Sequence, residues 1–145
     1  MGSRQLLLIV LVLILVAIAV ASGLYMFQTN AIESNRRMLV TELMGLGAKA
    51  QRYYRMPVSL GGGGRSFNGF ALTFEDTASA VGRYRLSTTR PSGASTVIGS
   101  TQAIAVNTDS IFIVGSGRER GNDKVHPTKA FVKVTPEKIE AFTLN

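Results

Sequence analysis

The sequence has no cysteine or tryptophan, and its 145 residues include one histidine. The absence of cysteine excludes a disulfide-stabilised domain, a thiol enzyme and a zinc site built on cysteine. A single histidine, His126, cannot form a multi-histidine metal site. Its polar neighbours in the sequence favour a solvated loop over a Ser-His-Asp relay. We therefore expect no enzymatic activity, no bound metal and no cofactor.

Phosphate-binding motifs are also missing from the glycine-rich segments. Gly61–Gly64 is followed by Arg65 and Ser66 rather than by a lysine and a hydroxyl residue at the required spacing, so it is not a phosphate loop. The Gly115–Gly117 segment lacks the third glycine of a dinucleotide fingerprint. The adjacent carboxylates at positions 75 and 76 are typical of an ordinary solvated turn.

Acidic residues are scarce: 9 Asp and Glu stand against 16 Lys and Arg, for a formal net charge of +7. The excess is spread along the chain, so the simpler interpretation is a soluble face with salt bridges between subunits. The alternative is an anion-binding surface for DNA or an acidic polysaccharide, formed with the help of Tyr84 and Phe70. Its predicted cations are Arg83, Arg85, Arg118, Arg120 and Lys124.

The longest apolar segment is Leu6–Phe27, which contains no charged residue. As a helix it is about 33 Å long, enough to cross the hydrocarbon core of a membrane. A secretory signal peptide has a shorter apolar region followed by a small-residue cleavage site. Ala-x-Ala pairs do occur between Ala17 and Ala21, but they lie inside the run. We therefore expect a retained membrane-type helix, with cleavage as the minor alternative.

The segment that follows is predicted to continue the same helix. It contains no proline before Pro57, and its apolar residues recur with a spacing of seven and at intervening positions on one face. Pro57 ends the helix because the residue before a proline is disfavoured in the α region. One helix of about 50 residues, about 75 Å long, results. The residues expected to pack on a sheet are Ile32, Leu39, Leu43, Leu46, Ala50 and Tyr53.

The remainder of the chain is predicted to be rich in β-structure. Gly61–Gly64 predicts a flexible linker, because four glycines have no side chains to pack. Beyond it, alternating or apolar runs separated by turn residues predict an antiparallel meander. The runs are Phe70 to Phe74, Arg83 to Thr88, Ser95 to Val106, Ser110 to Gly115, Lys129 to Thr135 and Lys138 to Leu144, with a charged loop from Gly117 to His126.

A small sheet needs a second layer over its apolar face, and the amphipathic half of the helix is the natural cover. The predicted fold class is therefore α+β: one long N-terminal helix packed on a small antiparallel β-sheet. The predicted divisions are residues 1–28 for the apolar half-helix, 29–57 for the amphipathic half-helix, 58–69 for the Gly-rich loop and 70–145 for the sheet domain.

This order of parts resembles the type IV pilins and pilin-like proteins over the whole chain. The uncharged run LLLIVLVLILVAIAVASG continues as an amphipathic helix to about AKAQRYYRMP, and a glycine loop and a β-sheet follow. The resemblance implies that apolar half-helices pack in the core of an extracellular filament, with the sheets outward, and that unassembled subunits wait in the inner membrane. The implied filament-core or membrane-helix residues are Gln5, Leu6, Leu11, Ala17, Ala19, Ala21, Gly23 and Phe27.

The N-terminus departs from the family pattern of a basic leader ending in glycine and a glutamate just before the apolar run. Gln5 occupies the place of the glutamate, and it accepts hydrogen bonds but lacks the charge that would offset a buried ammonium. Either Met1 is already the processed terminus, or the chain is used uncleaved and Gly2 is a coincidence. Five Lys and Arg residues follow the run before Pro57, so the positive-inside rule alone would keep the C-terminal side in the cytoplasm. The resemblance implies export instead.

Two functions remain open. The first is a structural subunit of a bacterial cell-surface filament for adhesion, motility or DNA uptake, whose partners are further copies of itself, the inner-membrane pilus or secretion assembly machinery, and the membrane before assembly. The second is a single-pass membrane-anchored accessory protein, such as a secretion-system pseudopilin. The unbroken helix favours the first, because an independent anchored domain usually has a flexible linker outside the membrane. The missing glutamate and leader favour the second.

Overall fold

The computed structural model describes residues 2–93, 99–121 and 123–145. One α-helix, α1 (Gly2–Arg55), runs for 54 residues through both the apolar and the amphipathic segments. It ends before Pro57, as the sequence predicts. A short 3-10 turn (Val58–Leu60) and a four-residue helix, α2 (Phe74–Thr77), lie between α1 and the sheet.

The sheet has four antiparallel strands in chain order, which confirms the predicted meander and the α+β class. Alternation explains β1, whose Tyr84 and Leu86 are buried while Arg83 and Arg85 are exposed. The strands are β1 (Gly82–Ser87), β2 (Ile111–Arg120), β3 (Pro127–Val134) and β4 (Ile139–Thr143).

Several local predictions are wrong. Phe70 and Leu72 are buried but belong to no strand, and Phe74 begins α2 with 92% of its surface exposed. The loop predicted from Gly117 begins later, because β2 continues to Arg120 past an irregularity in its pairing with β3. Of the predicted run Ser95 to Val106, residues 95–98 lie outside the described residues, and Ser100 makes an isolated bridge to Leu86.

Helix α1 crosses the sheet from one edge to the other. The Asn35 amide donates to the carbonyl of Val81, just before β1, at 3.2 Å. Further along the helix, the Gln51 amide donates to the carbonyl of Thr135 in the β3–β4 turn at 2.9 Å. Gly47 allows this close crossing, since a Cβ there would lie 3.0 Å from the Ile139 Cγ2. At Gly45, on a different face of the helix, a Cβ would meet no atom within 4 Å.

The main core lies between α1 and the facing side of the sheet. Leu39, Leu43, Leu46 and Ala50 belong to it, and Tyr53 packs against its border, as predicted. Ile32 does not belong to it, because the helix first meets the sheet edge beside Asn35 and position 32 lies before that edge. On β3, the alternate residues Ala130, Val132 and Val134 share one face and are fully buried there.

A second apolar cluster lies on the opposite side of the sheet. Phe112, Val114 and Phe131 are buried in it, and Phe142 stacks on Phe131 with ring centroids 5.0 Å apart. The Arg90 guanidinium lies 5.3 Å from the centroid of the Phe142 ring, a cation–π distance. The sheet is therefore covered on both faces, although one cover is small.

The glycine loop is packed against the end of α1. Carbonyls in the last turn of a helix have no intrahelical partner. Here two of them, and the carbonyl of the residue directly after the helix, accept hydrogen bonds from the loop backbone. The bonds run from Gly63 to Tyr53 at 2.9 Å, from Gly64 to Met56 at 3.0 Å and from Arg65 to Tyr54 at 2.9 Å.

Close contact explains the glycines of this loop better than the predicted linker role does. A Cβ on Gly62 would lie 2.3 Å from the Met56 carbonyl oxygen, and one on Gly63 would lie 1.8 Å from the Ser66 carbonyl oxygen. Neither position has room for a side chain. The segment is therefore a helix cap rather than the flexible linker that its composition predicts.

Candidate membrane and assembly helix

The first half of α1 does not contribute to the hydrophobic core. The large apolar side chains from Leu6 to Phe27 are between 49% and 80% exposed. This part of the helix is long and apolar enough to cross a membrane, and none of it is buried against the rest of the chain. The core helix of a soluble domain would be mostly buried. The apolar half therefore needs lipid or other helices around it.

Small residues form two close-approach positions on this exposed half. Ala17 and Ala21, and likewise Ala19 and Gly23, are four residues apart and lie on common faces of the helix. A Cβ built on Gly23 meets no atom within 4 Å. Alanine is common in any membrane helix, but this spacing also permits close packing of neighbouring helices. The other residues predicted for this role, Gln5, Leu6, Leu11 and Phe27, are exposed on the same half.

The helix changes character between Phe27 and Asn35. The Thr29 hydroxyl donates to the carbonyl of Tyr25 at 3.0 Å, so this polar group is satisfied within the helix. Glu33 then accepts from Arg36 and Arg37 at 3.2 Å each, so the first charges after the apolar run form a local ion-pair group. The pair with Arg37 is exposed and stabilises the helix only weakly, whereas the Arg36 side chain is partly buried. The group marks where charged side chains begin on the helix after the apolar run.

The five cations predicted to bind anions lie on β1 and on the β2–β3 hairpin. Arg83 and Arg85 point away from the helix, while the Arg118 guanidinium donates to the Ser79 carbonyl at 3.3 Å. Arg120 donates to the Lys124 carbonyl at 3.3 Å in the hairpin. Tyr84 and Phe70, the aromatic residues expected beside them, are buried in the core instead. Anion binding by the five cations stays a prediction. Tyr84 and Phe70 are too buried to stack on a bound ligand.

A carboxylate network that the sequence analysis missed joins α1 to β1. Glu42 accepts hydrogen bonds from the Ser79 hydroxyl at 2.6 Å and from the Tyr84 hydroxyl. Burial, and next the hydrogen bond to the Glu42 carboxylate, raise the pKa of Tyr84 well above its usual range. The network fixes the edge strand to the helix. No short sequence spacing signals it, because the partners are about forty residues apart.

The acidic pair at positions 75 and 76 is only partly the solvated turn that the sequence predicts. Asp76 lies in α2 and pairs with Lys49 of α1 at 2.5 Å, and the Thr73 hydroxyl donates to it at 2.7 Å. Burial alone would raise the pKa of Asp76, but the hydrogen bonds from Lys49 and Thr73 and the lysine charge outweigh it and lower that pKa. Among the described residues, no group of three or more His, Asp and Glu could hold a metal ion.

His126 lies in the β2–β3 hairpin, half-buried beside Asp123. Its Nδ1 is 2.6 Å from Asp123 Oδ2, and this hydrogen bond is the main reason why the pKa of Asp123 is lowered. The other oxygen of Asp123 accepts from the backbone N–H groups of Val125 and His126. The pair therefore shapes the hairpin turn.

No family model, curated protein or solved structure matches this chain.

Proposed function

We propose that this chain is a pilin-like structural subunit. In this proposal Leu6–Phe27 lies in the inner membrane before assembly, and the chain then polymerises through this segment into a helical cell-surface filament. The sheet domain faces outward and serves adhesion, motility or DNA uptake. The partners are further copies of the chain and the inner-membrane pilus or secretion assembly machinery.

The observation that carries the proposal is the contrast within one unbroken helix. Its first half is exposed throughout, whereas Leu39, Leu43 and Ala50 in its second half are completely buried against the sheet. Moving each large apolar side chain from lipid into water costs about 1.5–3 kcal/mol, so the first half leaves a membrane only into other apolar surroundings. A bundle of identical half-helices provides those surroundings.

Rigidity supports the same proposal. The helix continues from the apolar segment into the domain core without a flexible connection. A bundle of such helices would therefore hold each sheet domain at a fixed position, as a regular filament requires, whereas independent anchored domains usually have a linker. The exposed cations Arg83 and Arg85 point away from α1, so DNA or another anionic surface would meet them on the outside.

Electron microscopy of material sheared from cells, with mass spectrometry of the N-terminal peptide, tests the proposal directly. We expect thin filaments that contain the chain with Leu6–Phe27 intact. Ala19→Arg should abolish the filaments, because a charge in a packed apolar bundle is strongly unfavourable. Ala48→Arg makes the same change at an exposed position of the second half of α1 and should leave them. A normal filament yield from Ala19→Arg would refute packing through this half.

The alternative is a membrane-anchored accessory protein such as a secretion-system pseudopilin. Gln5 favours it, because the charge that a pilin glutamate supplies is missing at that position. In that case the protein remains wholly with the membrane pellet after shearing, and no filament contains it.

A further inference from the structure

The tip of the β2–β3 hairpin reaches back along α1 towards the apolar run. Gly121 and Lys124 of the hairpin line a cleft of about 420 Å³ together with helix residues from Tyr25 to Glu33. These helix residues directly follow or end the uncharged segment. If Leu6–Phe27 spans a bilayer, the hairpin tip therefore lies at the level of the lipid headgroups.

The tip has the chemistry of a surface that contacts such headgroups. Val125 is 71% exposed, and Arg120 and Lys124 are exposed beside it. The acidic residue of the turn, Asp123, is occupied by His126 and by backbone N–H groups of the turn itself. An exposed apolar side chain next to cations fits an anionic bilayer surface, because the apolar group enters the interface and the cations meet phosphate.

The exposed position of Val125 has no explanation within the monomer. The hairpin is held in place by β-pairing and by the Thr128 hydroxyl, which donates to the Glu119 carbonyl at 3.0 Å. The turn is also closed by the bond from the Lys124 N–H to the Gly121 carbonyl at 2.9 Å. Val125 is therefore presented on a hydrogen-bonded turn, which lowers the ordering cost of contact with a membrane.

We propose that the β2–β3 hairpin tip is a second membrane contact, which docks on the anionic headgroups of the bilayer that holds the apolar half of α1. Val125 enters the interfacial layer, and Arg120 and Lys124 contact lipid phosphates. This inference rests on the membrane-anchored stage of the proposed function. The contact fixes the tilt of the sheet domain over the membrane before assembly.

Fluorescence of a single introduced tryptophan tests this contact, because the natural chain has none. Full-length Val125→Trp is reconstituted into phosphatidylcholine vesicles with and without phosphatidylglycerol, and its emission is measured with and without brominated lipid. The matched control is Val58→Trp, which is equally exposed at 73%. It lies beyond the other end of α1, about 38 Å along the helix from Asn30.

We expect the Val125→Trp emission to shift to the blue and to lose intensity with brominated lipid in anionic vesicles, whereas Val58→Trp does neither. Adding Lys124→Glu to Val125→Trp should reduce the ratio of docked to undocked tips by more than about fivefold, because the loss of one cation alone accounts for about that factor and the new carboxylate is also repelled. Arg52→Glu, the same reversal of charge near the far end of α1, should leave that ratio unchanged.

Flotation of the same vesicles separates failure of this inference from failure of the proposed function. If the chain floats with the vesicles but both tryptophans have the emission of water-exposed indole, the hairpin contact is refuted and the membrane helix is not. If the introduced side chain of Val125→Trp becomes shielded only in assembled filaments, the tip contacts a neighbouring subunit and the inference is equally overturned. If the chain does not stay with vesicles at all, both proposals fail.

Discussion

Gly63→Ala tests whether the glycine loop is a structural cap. The added methyl group would lie 1.8 Å from the Ser66 carbonyl oxygen and 2.8 Å from the Tyr53 Cε1, so the loop must move away from the helix end. That movement breaks or weakens the three backbone hydrogen bonds that the loop makes to Tyr53, Tyr54 and Met56 at the end of α1. At about 1 kcal/mol for each bond, we expect the free energy of unfolding to fall by about 3 kcal/mol.

The control is Gly45→Ala, which adds the same methyl group to an exposed position of α1 with no atom within 4 Å. Alanine is better than glycine inside a helix by about 1 kcal/mol, so this variant should be more stable than the parent by about that amount. The two substitutions are therefore expected to have opposite signs.

Urea unfolding of the full-length chain in a mild nonionic detergent gives both values. Near-ultraviolet circular dichroism follows the tyrosines, of which Tyr53, Tyr54 and Tyr84 belong to or border the domain core. The signal therefore reports the domain rather than the apolar half of α1. A Gly63→Ala protein as stable as the parent would refute the cap and restore the interpretation of Gly61–Gly64 as a linker.

Three further substitutions test the core and its polar contacts by the same unfolding assay. Leu43→Ala should cost about 2–5 kcal/mol because Leu43 is completely buried, whereas Met44→Ala, beside it but 40% exposed, should cost much less; equal losses would contradict the assigned helix face. Tyr84→Phe should lower the free energy of unfolding by about 1–3 kcal/mol, because the partly buried Glu42 carboxylate loses a hydrogen-bond donor. An unchanged stability would refute a stabilising role for this network. Asp76→Asn should be less stable than the parent above pH 4, and the difference should shrink as the pH falls through the lowered pKa of Asp76; a pH-independent difference would refute the ion pair with Lys49.

Local sequence patterns predict the parts of this fold that depend on local energetics. The helix follows from the uncharged apolar run, the apolar face and the stop at Pro57, each of which acts over a few residues. The strands β1 and β3 likewise follow from alternation that one buried face imposes. Phe70 and Phe74 mislead because alternation over so short a segment does not require a hydrogen-bonded partner strand, and none of the described strands contains them.

The sequence by itself determined that the chain is one long helix, apolar in its first half, with an antiparallel sheet. Only the tertiary structure decided where the helix crosses the sheet, and hence that Leu39 reaches the core while Ile32 does not. It also placed Glu42 against Tyr84 and the hairpin tip beside the end of the apolar run. These contacts join residues dozens of positions apart, and their geometry is fixed by packing and chain closure rather than by any local period.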